Sequence, residues 1–169
     1  MIIYKTLRVL GIDPGTATTG WAVIEEKLGC LRAIAYGHIN TPKEDSESAR
    51  LLEITGDLEK IVKKYKPKEA AIEKIFFFKN QKTVIPVSQA RGAILLTLEQ
   101  KNVKVFSYTP LQVKQALTGY GRAEKKQIQI MAKKILALKR LPKPDDVADA
   151  IAIAICHLNS RKLTKLCNF

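Results

Sequence analysis

Four carboxylates stand where a folded chain has reason to avoid charge. Asp13 closes the apolar run Leu7-Arg8-Val9-Leu10-Gly11-Ile12, and Glu73 interrupts Ala70-Ala71-Ile72 and Ile75. Asp146 and Asp149 sit three apart at the start of the small, apolar segment running on to Ala154, so a helix there carries both on one face. Acids in such places lose hydration, and like-charged neighbours add repulsion. A hard cation with a preference for oxygen, Mg2+ or Mn2+ in its place, offsets both penalties. One or two such ions held by Asp13, Glu73, Asp146 and Asp149 can orient a water, lower its pKa and stabilise the leaving oxygen of a phosphodiester. Singly, the acids also have structural readings: Asp13 as a turn residue before Pro14, Glu73 as an ion-pair partner, Asp145 or Asp146 as a helix N-cap. Asp149, a turn into an apolar helix, fits none of these comfortably, and the four together favour a metal site. No other donor set competes. His38 and His157 are isolated and read as ordinary strand and helix residues, and Cys30, Cys156 and Cys167 lack the spacing of a zinc site or a disulfide framework.

The elements that position these acids alternate in type. Leu7 to Asp13 reads as a strand cut off by Pro14-Gly15, followed by strands at Gly20 to Glu25 and Leu31 to Asn40, with Gly29 turning the chain between them. Such short connections predict three antiparallel strands. A helix opens near Ser46 or Ser48, carries Leu51, Leu52, Ile54, Leu58, Ile61 and Val62 at helical spacing, and stops at Lys66-Pro67. Glu69 to Ile75 is a fourth strand, parallel because it is reached through a helix. A helix over Val84 to Glu99 containing Pro86, a strand at Val103 to Phe106, and helices at Leu111 to Leu117, Ala123 to Leu138 and Asp145 to Asn159 complete the chain. Pro110 takes the first helical position of the third helix. The fold class is α/β, a mixed five-stranded sheet flanked by helices. The 169 residues are expected to form one domain over 1–161, with a basic tail at 162–169.

Composition narrows the partners. A hydrophobic share of 46% and a charged share of 27% are those of an ordinary globular protein, whereas 29 Lys and Arg against 16 Asp and Glu leave a net charge of +13. That excess favours a polyanion such as nucleic acid. No apolar run reaches the roughly 20 residues of a membrane span. The first residues lack the apolar core of a signal peptide, which points to the cytoplasm.

Five ordered blocks carry a family resemblance: Gly11-Ile12-Asp13-Pro14-Gly15 with Thr19-Gly20-Trp21; Ala71-Ile72-Glu73 with Ile75-Phe76 and Lys79-Asn80; Gln89-Ala90-Arg91-Gly92; Gln112-Val113-Lys114-Gln115 with Gly119 to Lys125; and Asp146 to Ala154. Over nearly its whole length the chain resembles RuvC, the bacterial Holliday junction resolvases. The resemblance implies a ribonuclease-H-like fold, a homodimer, and two symmetric nicks across a four-way DNA junction in recombination and repair. It also implies cooperation with a branch-migration complex of the RuvA and RuvB kind. The family's acidic tetrad falls on Asp13, Glu73, Asp146 and Asp149, and its basic residues near the scissile phosphate fall on Lys114 and Lys125. For the proton of the attacking water, loss to bulk from a metal-bound water is the first reading and Lys125 as general base the second. Phe76 matches an aromatic placed at the junction centre, where a ring can stack on unpaired bases. Beside it Lys79, Asn80 and Lys82, and elsewhere Arg91 and Arg122, are expected DNA contacts, while one of Phe77 and Phe78 packs inside. The sequence departs from the family pattern at Lys74, Pro86 and Val147. Two-fold symmetric cuts favour two identical subunits, and surplus apolar residues on Val84 to Leu98 place the interface there.

Other readings share some of these features. Gly11 to Thr16 also resembles the phosphate loop of actin-like kinases and ATPases, which need two such domains around the nucleotide. A related nuclease of ribosomal RNA precursors lacks the junction blocks around Phe76 and Lys114. For a non-catalytic DNA-binding module a basic face would suffice, and unneutralised acids beside phosphate would weaken it.

Overall fold

The computed structural model describes residues 6–75 and 81–166, with backbone only for 81–83 and 162–166. Five strands, β1 (Leu7–Asp13), β2 (Thr18–Lys27), β3 (Cys30–Asn40), β4 (Glu69–Glu73) and β5 (Lys104–Tyr108), form one sheet in the order β3-β2-β1-β4-β5. The first three are antiparallel, and β4 and β5 run parallel to β1. Leu28 and Gly29, both at positive φ, make a two-residue turn between Lys27 and Cys30, the geometry that matches strand twist in a hairpin.

Among the described residues five helices cover the two faces: α1 (Glu47–Tyr65), α2 (Gln81–Gln100), α3 (Pro110–Thr118), α4 (Lys125–Ile135) and α5 (Asp145–Leu166). Ser46 caps α1, its hydroxyl accepting from the Ala49 N–H, and Lys66 ends the helix in the left-handed region just before Pro67. Pro110 takes the first turn of α3 as expected, and Thr109 and Gln112 form a reciprocal capping box there. On one side of the sheet α1 and α2 bury Leu10, Ile12, Val23 and Ile72 against Ile54, Leu58, Ile94 and Leu98. On the other, α3, α4 and α5 cover Val9, Ala22, Ile24 and Ala71 with Val113, Ile128, Ala150, Ile153 and Ala154.

Several boundaries differ from the sequence expectation. β5 begins at Lys104 and runs to Tyr108, since parallel pairing with β4 continues until Tyr108 stands opposite Glu73. α2 starts at Gln81 and contains Pro86. α4 is shorter than expected because Ala137 turns to φ 49 and the chain bends to press both Leu136 and Leu138 onto the same core. α5 is longer, running past Asn159 to Leu166 through residues that include no glycine or proline to stop it. Cys30 is exposed and Cys156 buried, both as free thiols, while Cys167 lies outside the described residues. Among the described residues no helix is long and apolar enough to cross a membrane.

α5 lies unusually close to the sheet, and two glycines permit it. A Cβ on Gly11 would run into the Ala150 carbonyl oxygen and stand 2.8 Å from the Ala154 Cβ. One on Gly20 would collide with the Asp146 carbonyl. The helix therefore rides on bare backbone at β1 and β2, a contact that any larger residue would pry apart.

Candidate active site

Alternation along the strands decides which side chains meet α5. Leu7, Val9, Gly11 and Asp13 share one face of β1, as do Glu69, Ala71 and Glu73 on β4. The two strands pair in parallel with Ile12 opposite Ile72, so Asp13 and Glu73 are neighbours at the ends where both strands leave the sheet. The first turns of α5 arrive over that edge. Asp13, Glu73 and Asp149 then line one cleft of ≈ 380 Å3 with Lys114 from α3, Lys125 from α4, and Val113, Ile128 and Ile153 as its apolar wall. No three acid, histidine or cysteine side chains among the described residues stand close enough, as placed, to clasp a single ion.

The electrostatics of the cleft are nonetheless collective. Burial raises the Asp13 pKa well above the usual carboxylate range, and the negative charges of Asp149, Glu73 and Asp146 push it further. Glu73 is lifted to about 7, again by burial first and Asp149 second, while Lys114 and Lys125 pull it down. Asp149 is raised by burial and by Asp146 and Asp145, against the attraction of Lys125. The Lys125 Nζ stands 3.7 Å from an Asp149 oxygen and 3.9 Å from Asp145, whose other oxygen accepts from Gln129 Nε2 at 2.7 Å. An all-oxygen donor set with elevated pKa values and only partial compensation by two lysines suits a hard divalent cation.

Asp146 occupies a different place from the other three. It lines an adjoining cleft of ≈ 330 Å3 with the loop Gly15 to Thr18 and with Pro86 and Val87 of α2, and it reaches Asp13 through its field. That loop is fixed from behind. Thr19 Oγ donates to the Gly15 carbonyl at 2.6 Å, Thr41 Oγ donates to the Thr16 carbonyl, and Arg50 Nε donates to Thr41 Oγ at 2.8 Å.

The remaining expected site residues separate into three groups. Lys114 and Lys125 are in the cleft with the acids. Arg91 and Arg122 are not: Arg122 is exposed before α4, and Arg91 gives Nε to the Glu73 carbonyl at 3.1 Å and Nη2 to Ser107 Oγ at 3.0 Å, tying α2 to the ends of β4 and β5. Phe76, Phe77, Phe78, Lys79 and Asn80, and the side chain of Lys82, lie outside the described residues.

A polar cluster that the sequence did not signal sits about two turns past Asp149 on α5. His157 is buried, its Nε2 2.8 Å from Glu69 Oε2 and its Nδ1 2.6 Å from Tyr108 Oη, with Arg161 Nε 3.1 Å from the same Glu69 oxygen. Burial lowers the His157 pKa despite Glu69, which keeps the ring neutral at pH 7 with Nε2 as donor and Nδ1 accepting from Tyr108. This cluster clamps β4, β5 and α5 together, and with them Glu73 and Asp149. The clue available in the sequence was spacing alone: 149, 153 and 157 share a helix face, as 69 and 73 share a strand face.

A mixed five-stranded sheet with acids at the ends of its first and fourth strands and at the start of the last helix defines a ribonuclease-H-like protein. The family model for crossover junction endodeoxyribonuclease RuvC matches residues 9–157. The crossover junction endodeoxyribonuclease RuvC of Syntrophomonas wolfei is 53% identical over 158 residues, covering 94% of this chain and 92% of that protein. That of Halothermothrix orenii is 54% identical over 157 residues, 93% of this chain and 95% of the relative. The structure of Thermus thermophilus RuvC in complex with Holliday junction substrate superposes with a TM-score of 0.88 at 32% identity, covering 94% of this chain and 96% of the other. The chain belongs to the RuvC family of crossover junction endodeoxyribonucleases.

The raised pKa of Glu73 fixes a sign. Between its ordinary value of 4.5 and about 7 the folded protein binds a proton that the unfolded chain releases, so stability falls as pH rises through that window. Glu73→Gln removes the penalty. After discounting for partial exposure, thermal unfolding at pH 8 without divalent cation should shift upward by on the order of 1–3 kcal/mol, roughly 2–10 °C in Tm, and the gain should vanish near pH 4.5. A lower Tm for the variant at pH 8 would show that Glu73 is stabilised in place by a fixed partner.

Proposed function

We propose that this protein resolves four-way DNA junctions by divalent-metal-dependent hydrolysis, cutting two strands symmetrically in recombination and repair. One observation carries the reading: Asp13, Glu73 and Asp149 share a cleft with Lys114 and Lys125, in a chain that matches crossover junction endodeoxyribonucleases along nearly all its length. Asp13, Glu73 and Asp149, with Asp146 reaching in from the adjoining cleft, would hold Mg2+, for which Mn2+ can substitute. When bound, the ion supplies Lewis-acid polarisation of the phosphodiester and neutralises charge that builds as the bond breaks. Lys114 and Lys125 bind the phosphate oxygens and offset negative charge in the transition state. Lys125 does so while reaching across from Asp145 and Asp149, so its ammonium stands over the acids before DNA arrives. Phe76 stacks on bases at the junction centre. Lys79, Asn80, Lys82 and Arg122 contact the backbone of the arms. The substrate places the work in the bacterial cytoplasm, alongside a branch-migration complex of the RuvA and RuvB kind.

Two cuts related by a junction's two-fold axis call for two copies of the chain. The outer side of α2 offers the surface, since Ile85 and Leu96 are 67% and 61% exposed there. Leu96→Glu should sediment as a monomer at concentrations where the unaltered protein is a dimer, and its two nicks should become uncoupled in time. A variant that remains dimeric moves the interface elsewhere.

The direct test compares a synthetic four-way junction with duplex and single strand, with and without Mg2+. Cutting is expected on the junction alone and only with the ion, while junction binding persists in chelator. Asp149→Asn should lower cleavage by several orders of magnitude and leave junction affinity unchanged or higher, because a negative charge beside phosphate has been removed. Loss of binding in that variant, or cutting in chelator, contradicts the proposal.

A further inference from the structure

On the other face of β4 from the acids, the strand end opens into a second cleft of ≈ 610 Å3 lined by Lys74, Ser88, Arg91, Gly92, Ser107 and Thr109. Its charge is unbalanced. Arg91 spends its two described hydrogen bonds on neutral acceptors, the Glu73 carbonyl and the Ser107 hydroxyl, and among the described residues no carboxylate pairs with Arg91 or Lys74. Two cations without a counter-charge therefore face one depression.

The hydroxyls of Ser107 and Thr109 can act as donors toward the cleft. Ser107 Oγ accepts from Arg91, so its own proton is free to point outward, and Thr109 Oγ accepts from the Gln112 N–H at α3 with the same consequence. Gly92 leaves that wall open, since a Cβ there would meet nothing within 4 Å. Planar guanidinium, ammonium and hydroxyl donors together match the oxygens of a phosphodiester.

Position favours DNA over a free anion. Glu73 separates the two clefts: its side chain lines the acidic one, and its carbonyl is held by Arg91 in the basic one. A strand with one phosphate at the acids and continuing past the edge of β4 passes Lys74 with a neighbouring phosphate. We propose that the cleft of Lys74, Arg91, Ser88, Ser107 and Thr109 is a phosphate subsite for the cut strand, gripping a phosphodiester that flanks the scissile one. Arg91 positions the strand end as well as the DNA. The inference rests on the junction-cutting reading.

The test measures junction binding against salt in chelator for the unaltered protein, for Lys74→Gln, and for Lys27→Gln at the hairpin on the opposite edge as a control for net charge. Lys74 is exposed, so the fold is not at stake. Lys74→Gln should reduce the slope of log K against log salt by about 1 and Lys27→Gln should leave it unchanged. Junctions carrying a neutral methylphosphonate at each position flanking the cut locate the contact. At one position the substitution should weaken the unaltered protein about tenfold and Lys74→Gln hardly at all, since the partner charge is already gone. An unchanged slope for Lys74→Gln, or losses that add at every position, overturns the subsite and leaves the nuclease reading intact. Failure of the unaltered protein to bind the junction overturns both.

Discussion

How closely α5 can approach β1 and β2 governs the whole site. Gly11 and Gly20 let helix backbone rest on strand backbone, and this contact brings Asp149 down to the edge where Asp13 and Glu73 emerge. Burial, the first cause of each raised pKa, follows from that approach, and mutual repulsion follows from burial. Neither strand nor helix alone produces a strong acid cluster. The register of Ile12 with Ile72 sets one distance and the glycine seat of α5 sets the other.

The same helix face solves the burial of polar groups in two ways. At its far end Glu69 is answered from within by His157 and Arg161, and His157 by Tyr108, so each donor meets an acceptor and the cluster is self-sufficient. At its near end, among the described residues, the acids find only Lys114 and Lys125, the latter largely exposed and shared with Asp145. One end is therefore built to be rigid and the other to receive something positive. The rigid end lies on the strand and helix that carry Glu73 and Asp149, which makes it a support for the reactive end.

Much of this was legible in the residues. The order of strands and helices, a helix opening near Ser46, Pro110 at the first turn of α3, and a fourth strand parallel within the sheet follow from period, turn chemistry and connection length, whereas the pairing of β1 with β4 is shown by the fold. Several boundaries did not follow: β5 is extended by its ladder with β4 and α4 is cut short by Leu136 and Leu138 seeking the core, both tertiary effects, while α2 begins earlier, at Gln81, and α5 continues past Asn159 for lack of a stop signal. Among the acids, spacing put Asp146 and Asp149 on one face. It could not show that the β1–β2 loop and α2 give Asp146 a cleft of its own. His157 read as an ordinary helix residue, since its partners Glu69 and Tyr108 are remote in sequence. Arg91 read as a DNA contact, and its ties to the Glu73 carbonyl and Ser107 are equally invisible without the fold.

Calorimetric titration of Mn2+ in buffers of differing ionisation enthalpy tests most directly whether a divalent cation balances the acid cluster. With Glu73 lifted to about 7 and Asp13 and Asp149 also raised, binding at pH 6.5 should release protons. Asp149→Asn should weaken the ion at least tenfold. Absence of Mn2+ binding, or binding with no proton release at pH 6.5, would contradict the account.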